Sequence, residues 1–319
     1  MPLSIVKLFP PALLALALAG AFRGCPDASP NVSYHAMAHD GRERAYRLHL
    51  PSTYADTAPA SLVMILHPFT GTHRSMARLT GFDALSEREG FIAVYPQGVQ
   101  RRWNNGGPPG APGPFGLGFA NADDGGFLAA LLDRLQADYA IDEDRVYLAG
   151  ASNGGFMTYR MLCELDGVFA AAAVVMGSMP AALAADCAPG SATPLLLIHG
   201  TDDPAVPFEG GAPGGGPGGP FLSARDTAAF WAARNGCAAA PTVTPLPERD
   251  PADGTRVVVE AYSDCAGDAP VTLYVIEGGG HTWPGQPRGW PRQVVGVVSQ
   301  EIDASEVIWT FFQEFTRSP

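Results

Sequence analysis

Charge is scarce in this sequence. Only 16% of its 319 residues are Asp, Glu, Lys or Arg, and the acidic ones outnumber the basic ones 32 to 20. The formal charge of −12 argues against nucleic acid and anionic membrane surfaces as partners, because both repel an acidic chain. Beyond the N-terminal residues, no stretch approaches the ~20 apolar residues that a transmembrane helix requires. Cysteine is sparse as well: there are five, none in the CxxC spacing of a zinc site. Neither a metal nor an organic cofactor is expected. Apolar residues, by contrast, make up 46% of the chain, enough for one large core in a single α/β domain.

The first residues have the form of an export signal. Lys7 precedes an apolar stretch over residues 8–19, and Ala17-Leu18-Ala19 offers small residues at −3 and −1 of a cleavage point. Residues 1–19 are therefore expected to be a signal peptide, 20–37 an N-terminal linker and 38–316 the folded domain. Export, to the periplasm or outside the cell, makes the cysteines readable as bridges. Neighbours along the chain suggest Cys163–Cys187 and Cys237–Cys265, which leaves Cys25 over. Cys25 follows Gly24 as in a lipoprotein signal, but Phe22 and Arg23 fit that signal badly; a free or differently paired thiol is the alternative.

Further on, RAYRLHL (residues 44–50) alternates as an edge or half-buried strand would, whereas SLVMILH, FIAVYP, RVYLAG, AAAVVMG, PLLLIHG and VTLYVIEGG are continuous apolar runs. Such runs suit central strands of a parallel sheet covered on both faces. Helical spacing lies between them, in residues 126–139 with Asp124 as the expected cap, from about Asn153, around 224–235 and in 304–315. Alternating strands and helices predict one α/β domain. Residues 106–118 and 210–220 are rich in Gly and Pro and read as surface loops, either overhanging a site or serving as spacers.

The chemistry begins at Gly150-Ala151-Ser152-Asn153-Gly154, a G-x-S-x-G sequence between a predicted strand and a predicted helix. In that context the serine is held in a sharp turn with its hydroxyl presented, and the N–H of Asn153 points at whatever oxygen Ser152 attacks. A nucleophilic hydroxyl needs a base, and in this arrangement the acid and then the histidine follow the serine. Two histidines do so: His199, which ends the run PLLLIH and reads as a packing or hydrogen-bonding residue, and His281, which follows three glycines in GGGHTWPG. His281 is the expected base. Asp203 in HGTDDPAVPF is the expected orienting carboxylate, with Asp202 as a turn cap and Glu209 as an outsider. A second oxyanion donor is expected from the N–H of Phe69, in the loop that follows SLVMILH.

Taken in order, LHPFTG, GFIAVYPQG, RRWNNGG, ADDGGFL, GASNGGFMTYRM, LLIHGTDDPAVPF and GGGHTWPG resemble the extracellular esterase family described as poly(3-hydroxybutyrate) depolymerase-like and feruloyl esterase-like. The likeness runs from about Ala38 to Phe315. It implies an α/β-hydrolase fold, a mostly parallel central sheet with helices on both faces, Ser152, Asp203 and His281 as a triad, and the same two cysteine pairs. Pro68 and Phe69 depart from the family's usual HG, which alters the shape of the acyl pocket. Trp103 and Trp283 are candidate substrate walls. The resemblance implies a secreted serine carboxylesterase acting on feruloyl or acetyl esters of plant polysaccharide, or on hydroxyalkanoate oligomers. No Ser/Thr-rich linker or aromatic-rich module follows the catalytic region, which inclines the reading toward soluble esters or oligomers. A polyester depolymerase is one alternative. A peptidase or amidase, or a non-catalytic binding protein of the same fold, is another.

Overall fold

Six of the apolar runs form the middle of one sheet. They are β3 (Ala60–Leu66), β4 (Ile92–Pro96), β5 (Ile141–Ala151), β6 (Ala171–Val175), β7 (Leu195–Gly200) and β10 (Val271–Glu277), paired in parallel in the order β4-β3-β5-β6-β7-β10 in the computed structural model. The structure describes residues 30–106, 122–211, 221–287 and 290–317. The expected signal peptide and Cys25 lie outside these residues, as do most of the two Gly/Pro-rich stretches.

The runs show no alternation because both faces of the sheet are covered. In β3, Leu62, Met64 and Leu66 enter one core, while Val63 and Ile65 enter the other. The first core is closed by α3 (Asp124–Asp138), α4 (Asn153–Glu164) and α6 (Ala224–Arg234). The second is closed by α1 (His73–Thr80), α2 (Phe82–Glu89) and α8 (Ala304–Phe312), whose numbering leaves two short helices, α5 (Ala181–Asp186) and α7 (Arg292–Val295), in the connections. Asp123, one residue before the expected cap, accepts from the Gly126 N–H at the start of α3. Asp124 is instead buried and paired with Arg44 at 2.5 Å.

Antiparallel strands extend the sheet at both ends. β1 (Val32–His39) and β2 (Arg42–His49) form a hairpin laid against β4, and β9 (Arg256–Tyr262) and β8 (Thr242–Pro245) extend it beyond β10. The sequence reading of 20–37 as linker is corrected here, since six of its residues, from Val32 onward, belong to β1. The turn that makes the hairpin is Asp40-Gly41, with both residues at positive φ as a two-residue hairpin of matching twist requires. β1 also covers β2, so residues 44–49 are an inner strand and not an edge.

Two disulfides join Cys163 to Cys187 and Cys237 to Cys265. The first ties α4 to the residue after α5, and the second ties the segment after α6 to the segment after β9. Gly211 and Phe221 exchange backbone hydrogen bonds of 2.9 and 3.1 Å, so the ends of the second Gly/Pro-rich stretch are paired. No helix among the described residues is long and apolar enough to cross a membrane.

Candidate active site

The residue between β5 and α4 has a backbone that few side chains tolerate: Ser152 lies at φ 53, ψ −116. Its N–H donates to the Val175 carbonyl at 3.0 Å, and its carbonyl accepts from the Phe156 N–H at 2.9 Å. Two glycines make the turn sterically feasible. A Cβ on Gly150 would lie 2.3 Å from the Gly154 carbonyl oxygen, and one on Gly154 would lie 2.3 Å from that of Leu66. The elbow is thus pressed directly against the end of β3.

Ser152 Oγ lies 3.0 Å from His281 Nε2, and His281 Nδ1 lies 2.8 Å from Asp203 Oδ2. With the serine hydroxyl donating to Nε2, the proton on the ring is left at Nδ1, facing the carboxylate. Asp203 Oδ1 accepts from the N–H groups of Ala205 and Val206, both at 2.8 Å. Burial alone would raise the Asp203 carboxyl, but the electrostatic attraction of the His281 ring and the hydrogen bonds from His199 and His281 outweigh it and hold the group well below the usual carboxylate range. His199 Nε2 lies 2.9 Å from the Val206 carbonyl and 3.3 Å from Asp203 Oδ2, so this histidine supports the acid and not the serine. Asp202 is turned elsewhere, accepting from the Thr201 hydroxyl at 3.2 Å. The backbone of His281 is fixed from behind, its N–H donating to the Val295 carbonyl at 2.6 Å.

Phe69 and Asn153 are the expected oxyanion donors. Asn153 is the first residue of α4, where N–H groups have no acceptor inside the helix and the dipole favours negative charge. Phe69 borders the same cavity as Ser152. Its loop is braced by His67, whose Nδ1–H donates to the Pro68 carbonyl at 2.8 Å and whose Nε2 accepts from the Gly98 N–H at 2.9 Å. Burial pushes the His67 imidazole down to about 4, so it stays neutral, as that bonding pattern requires.

The cavity has a volume of about 360 Å³ and a mostly apolar wall that includes Phe69, Leu79, Met176, Trp283, Trp290 and Val294. Trp283 borders it although only 1% exposed, with its indole donating to Ser305 Oγ at 3.0 Å. Trp103 does not border it. At 1% exposure it is buried beneath the Phe69 loop, which corrects its reading as a substrate wall. Trp290 is the aromatic wall residue that the sequence reading missed, as it missed Leu79, Met176 and Val294. It stands in a Pro- and Gly-rich stretch with no periodicity to mark its face, and only its nearness to His281 hinted at a role.

A ten-stranded, mostly parallel α/β sheet with this elbow and these neighbours defines an α/β-hydrolase of the serine hydrolase class. The family model described as the prolyl oligopeptidase family matches residues 127–186, a segment that holds the elbow. Among curated relatives, a protein of Nocardia uniformis subsp. tsuyamanensis provisionally named esterase NocK is 29% identical over 295 residues, covering 90% of this chain and 84% of the relative. Feruloyl esterase B of Piromyces equi is 28% identical over 244 residues, which is 75% of this chain and 43% of that longer protein. Among solved structures, an acetyl xylan esterase from Aspergillus awamori superposes with a TM-score of 0.58 at 18% identity, covering 88% of this chain and 98% of the other. The chain is thus related in sequence to proteins named as esterases, feruloyl esterases among them.

Proposed function

We propose that the protein is a secreted serine carboxylesterase in which Ser152 is the nucleophile, His281 the general base and Asp203 its orienting acid. His281 takes the Ser152 proton as Oγ attacks the ester carbonyl, and the N–H groups of Phe69 and Asn153 receive the developing oxyanion. His281 then returns the proton to the leaving alcohol, and water cleaves the acyl-enzyme by the same route in reverse. The observation that carries this reading is the unbroken chain of contacts from Ser152 Oγ through both nitrogens of His281 to Asp203. Asp203 stabilises the imidazolium formed at each step without itself taking the proton.

The apolar cavity beside Ser152 suits an acyl group with substantial carbon surface. Relatives named for feruloyl and acetylxylan esters support plant polysaccharide esters as substrates, and hydroxyalkanoate oligomers are the second choice. Two disulfides support an oxidising destination, reached through residues 1–19 as a signal peptide. The match to the prolyl oligopeptidase model favours one other reading, an amidase or peptidase.

Ser152→Ala should abolish fluorophosphonate labelling and lower ester turnover by about 10⁶-fold. The variant should stay folded, because among the described residues the hydroxyl is bonded to His281 alone. Residual turnover near the wild-type rate would move the nucleophile elsewhere. Methyl ferulate, xylan acetate, hydroxybutyrate oligomers and a p-nitroanilide, assayed side by side, would rank the acyl groups; preference for the anilide would overturn the esterase assignment.

A further inference from the structure

Trp103 is among the largest fully buried side chains and touches the site only from behind. Its polar groups all reach the two backbone segments that flank Ser152. The indole Nε1–H donates to the His67 carbonyl at 2.9 Å, at the root of the loop that carries Phe69. Its own N–H donates to Asn153 Oδ1 at 2.7 Å, and its carbonyl accepts from Asn153 Nδ2 at 3.3 Å. The Trp103 and His67 rings lie 4.9 Å apart, which adds packing to the first of these ties.

Pairing of β3 with β5 ends at Leu66 and Gly150. Phe69 and Asn153 both lie beyond that last pair, so the sheet ladder does not set the separation of their N–H groups. Trp103 spans the gap from below, and its own segment is firmly based. Arg101, two residues earlier, accepts from the Thr70 N–H at 2.8 Å. The Asn104 N–H donates to Asp124 Oδ2 at 2.7 Å, and Arg160 Nη1 donates to the Asn104 carbonyl at 2.6 Å. Asp124 is itself held by buried Arg44.

We propose that Trp103 is a positioning residue, a strut that fixes the spacing between the oxyanion donors of Phe69 and Asn153. The assignment rests on the oxyanion reading given above. Donors of this kind act only when each lies 2.7–3.1 Å from the transition-state oxygen, so a small relative shift weakens catalysis while substrate binding is spared. The strut has two ends, and cutting either should release the same constraint.

Trp103→Phe removes the indole donor and keeps an aromatic ring. Asn153→Ala removes both side-chain ties at the opposite end and keeps the Asn153 N–H. Each variant, and the double variant, is assayed for kcat and KM per active site titrated with a fluorophosphonate. The inhibition constant of a trifluoromethyl ketone analogue, which forms a tetrahedral adduct on serine, is measured alongside. Each single change should lower kcat by about 10- to 100-fold, less than the loss of a whole donor, with KM unchanged and inhibitor affinity falling by the same factor. The double variant should be no worse than the weaker single one, because both cut one strut.

Wild-type kcat per titrated site in Trp103→Phe, or losses that multiply in the double variant, would overturn the proposal. Should Trp103→Phe fail to fold, Asn153→Ala decides alone, with unchanged kcat and inhibitor affinity counting as refutation. Failure of the wild-type protein to label with fluorophosphonate would instead remove the esterase reading, and the strut with it.

Discussion

At the residue scale, two of the buried titratable groups near Ser152, Asp203 and His67, make opposite demands. Asp203 must stay charged, and its depressed carboxyl contributes stability that is fully present above the unfolded value, about 3.9, and is lost as pH falls through the lower folded value. Asp203→Asn should therefore lower kcat by about 10⁴-fold at neutral pH by permitting the wrong His281 tautomer. Its stability difference from wild type should shrink below about pH 4 in denaturant titrations. His67 must stay neutral. Because its imidazole is pushed down from 6.5 to about 4, the unfolded state binds an extra proton between those values, and stability should fall as pH drops through that window. In His67→Gln the acid-side slope should flatten, by at most about 3 kcal/mol across the window; an unchanged slope would place its origin in other groups. Ser152, Asp203 and His281 were legible in the sequence because the chemistry dictates both residue types and their order. Trp103 was not. Its partners are backbone and amide atoms 36 and 50 positions away, and an isolated tryptophan in a polar stretch reads equally well as a wall or as packing.

At the scale of elements, the elbow works because β5 and α4 meet at glycines on which neighbouring backbone impinges. Gly154→Ala would force a Cβ to within 2.3 Å of the Leu66 carbonyl, and neither the inner strand β3 nor the head of α4 can give way cheaply. We expect a loss of about 1–3 kcal/mol in chemical unfolding, with activity falling further as α4 separates from the Phe69 loop. Full retention of both would mean that the contact relaxes without consequence. The parallel strands were readable since burial on both faces produces uninterrupted apolar runs. The outer strands were harder. β1 shows the alternating exposure of an edge strand, and its Asp-Gly turn is a known hairpin sign, but most of it lies in the segment read as linker. β8 has four exposed residues and no apolar pattern at all. Its pairing is set by β9 and not by its own sequence.

At the scale of the whole molecule, the disulfides hold the periphery of the core closed by α3, α4 and α6. The bridged residues are 24 and 28 positions apart, so each loop closure is worth about 3 kcal/mol in the chain-entropy account. Dithiothreitol should lower the melting temperature by several degrees, and Cys163→Ser with Cys187→Ser should reproduce part of that drop; an unchanged melting temperature would show the bridges to be energetically idle. The distribution of the site along the polypeptide has another consequence. Ser152 and His281 are 129 residues apart, and β10, the strand before His281, must insert between β7 and β9 before the imidazole can arrive. A chain still emerging from the ribosome therefore carries Ser152 long before His281. Under the proposed mechanism, hydrolytic competence waits for the last third of the chain, so the onset of fluorophosphonate labelling would report the end of folding.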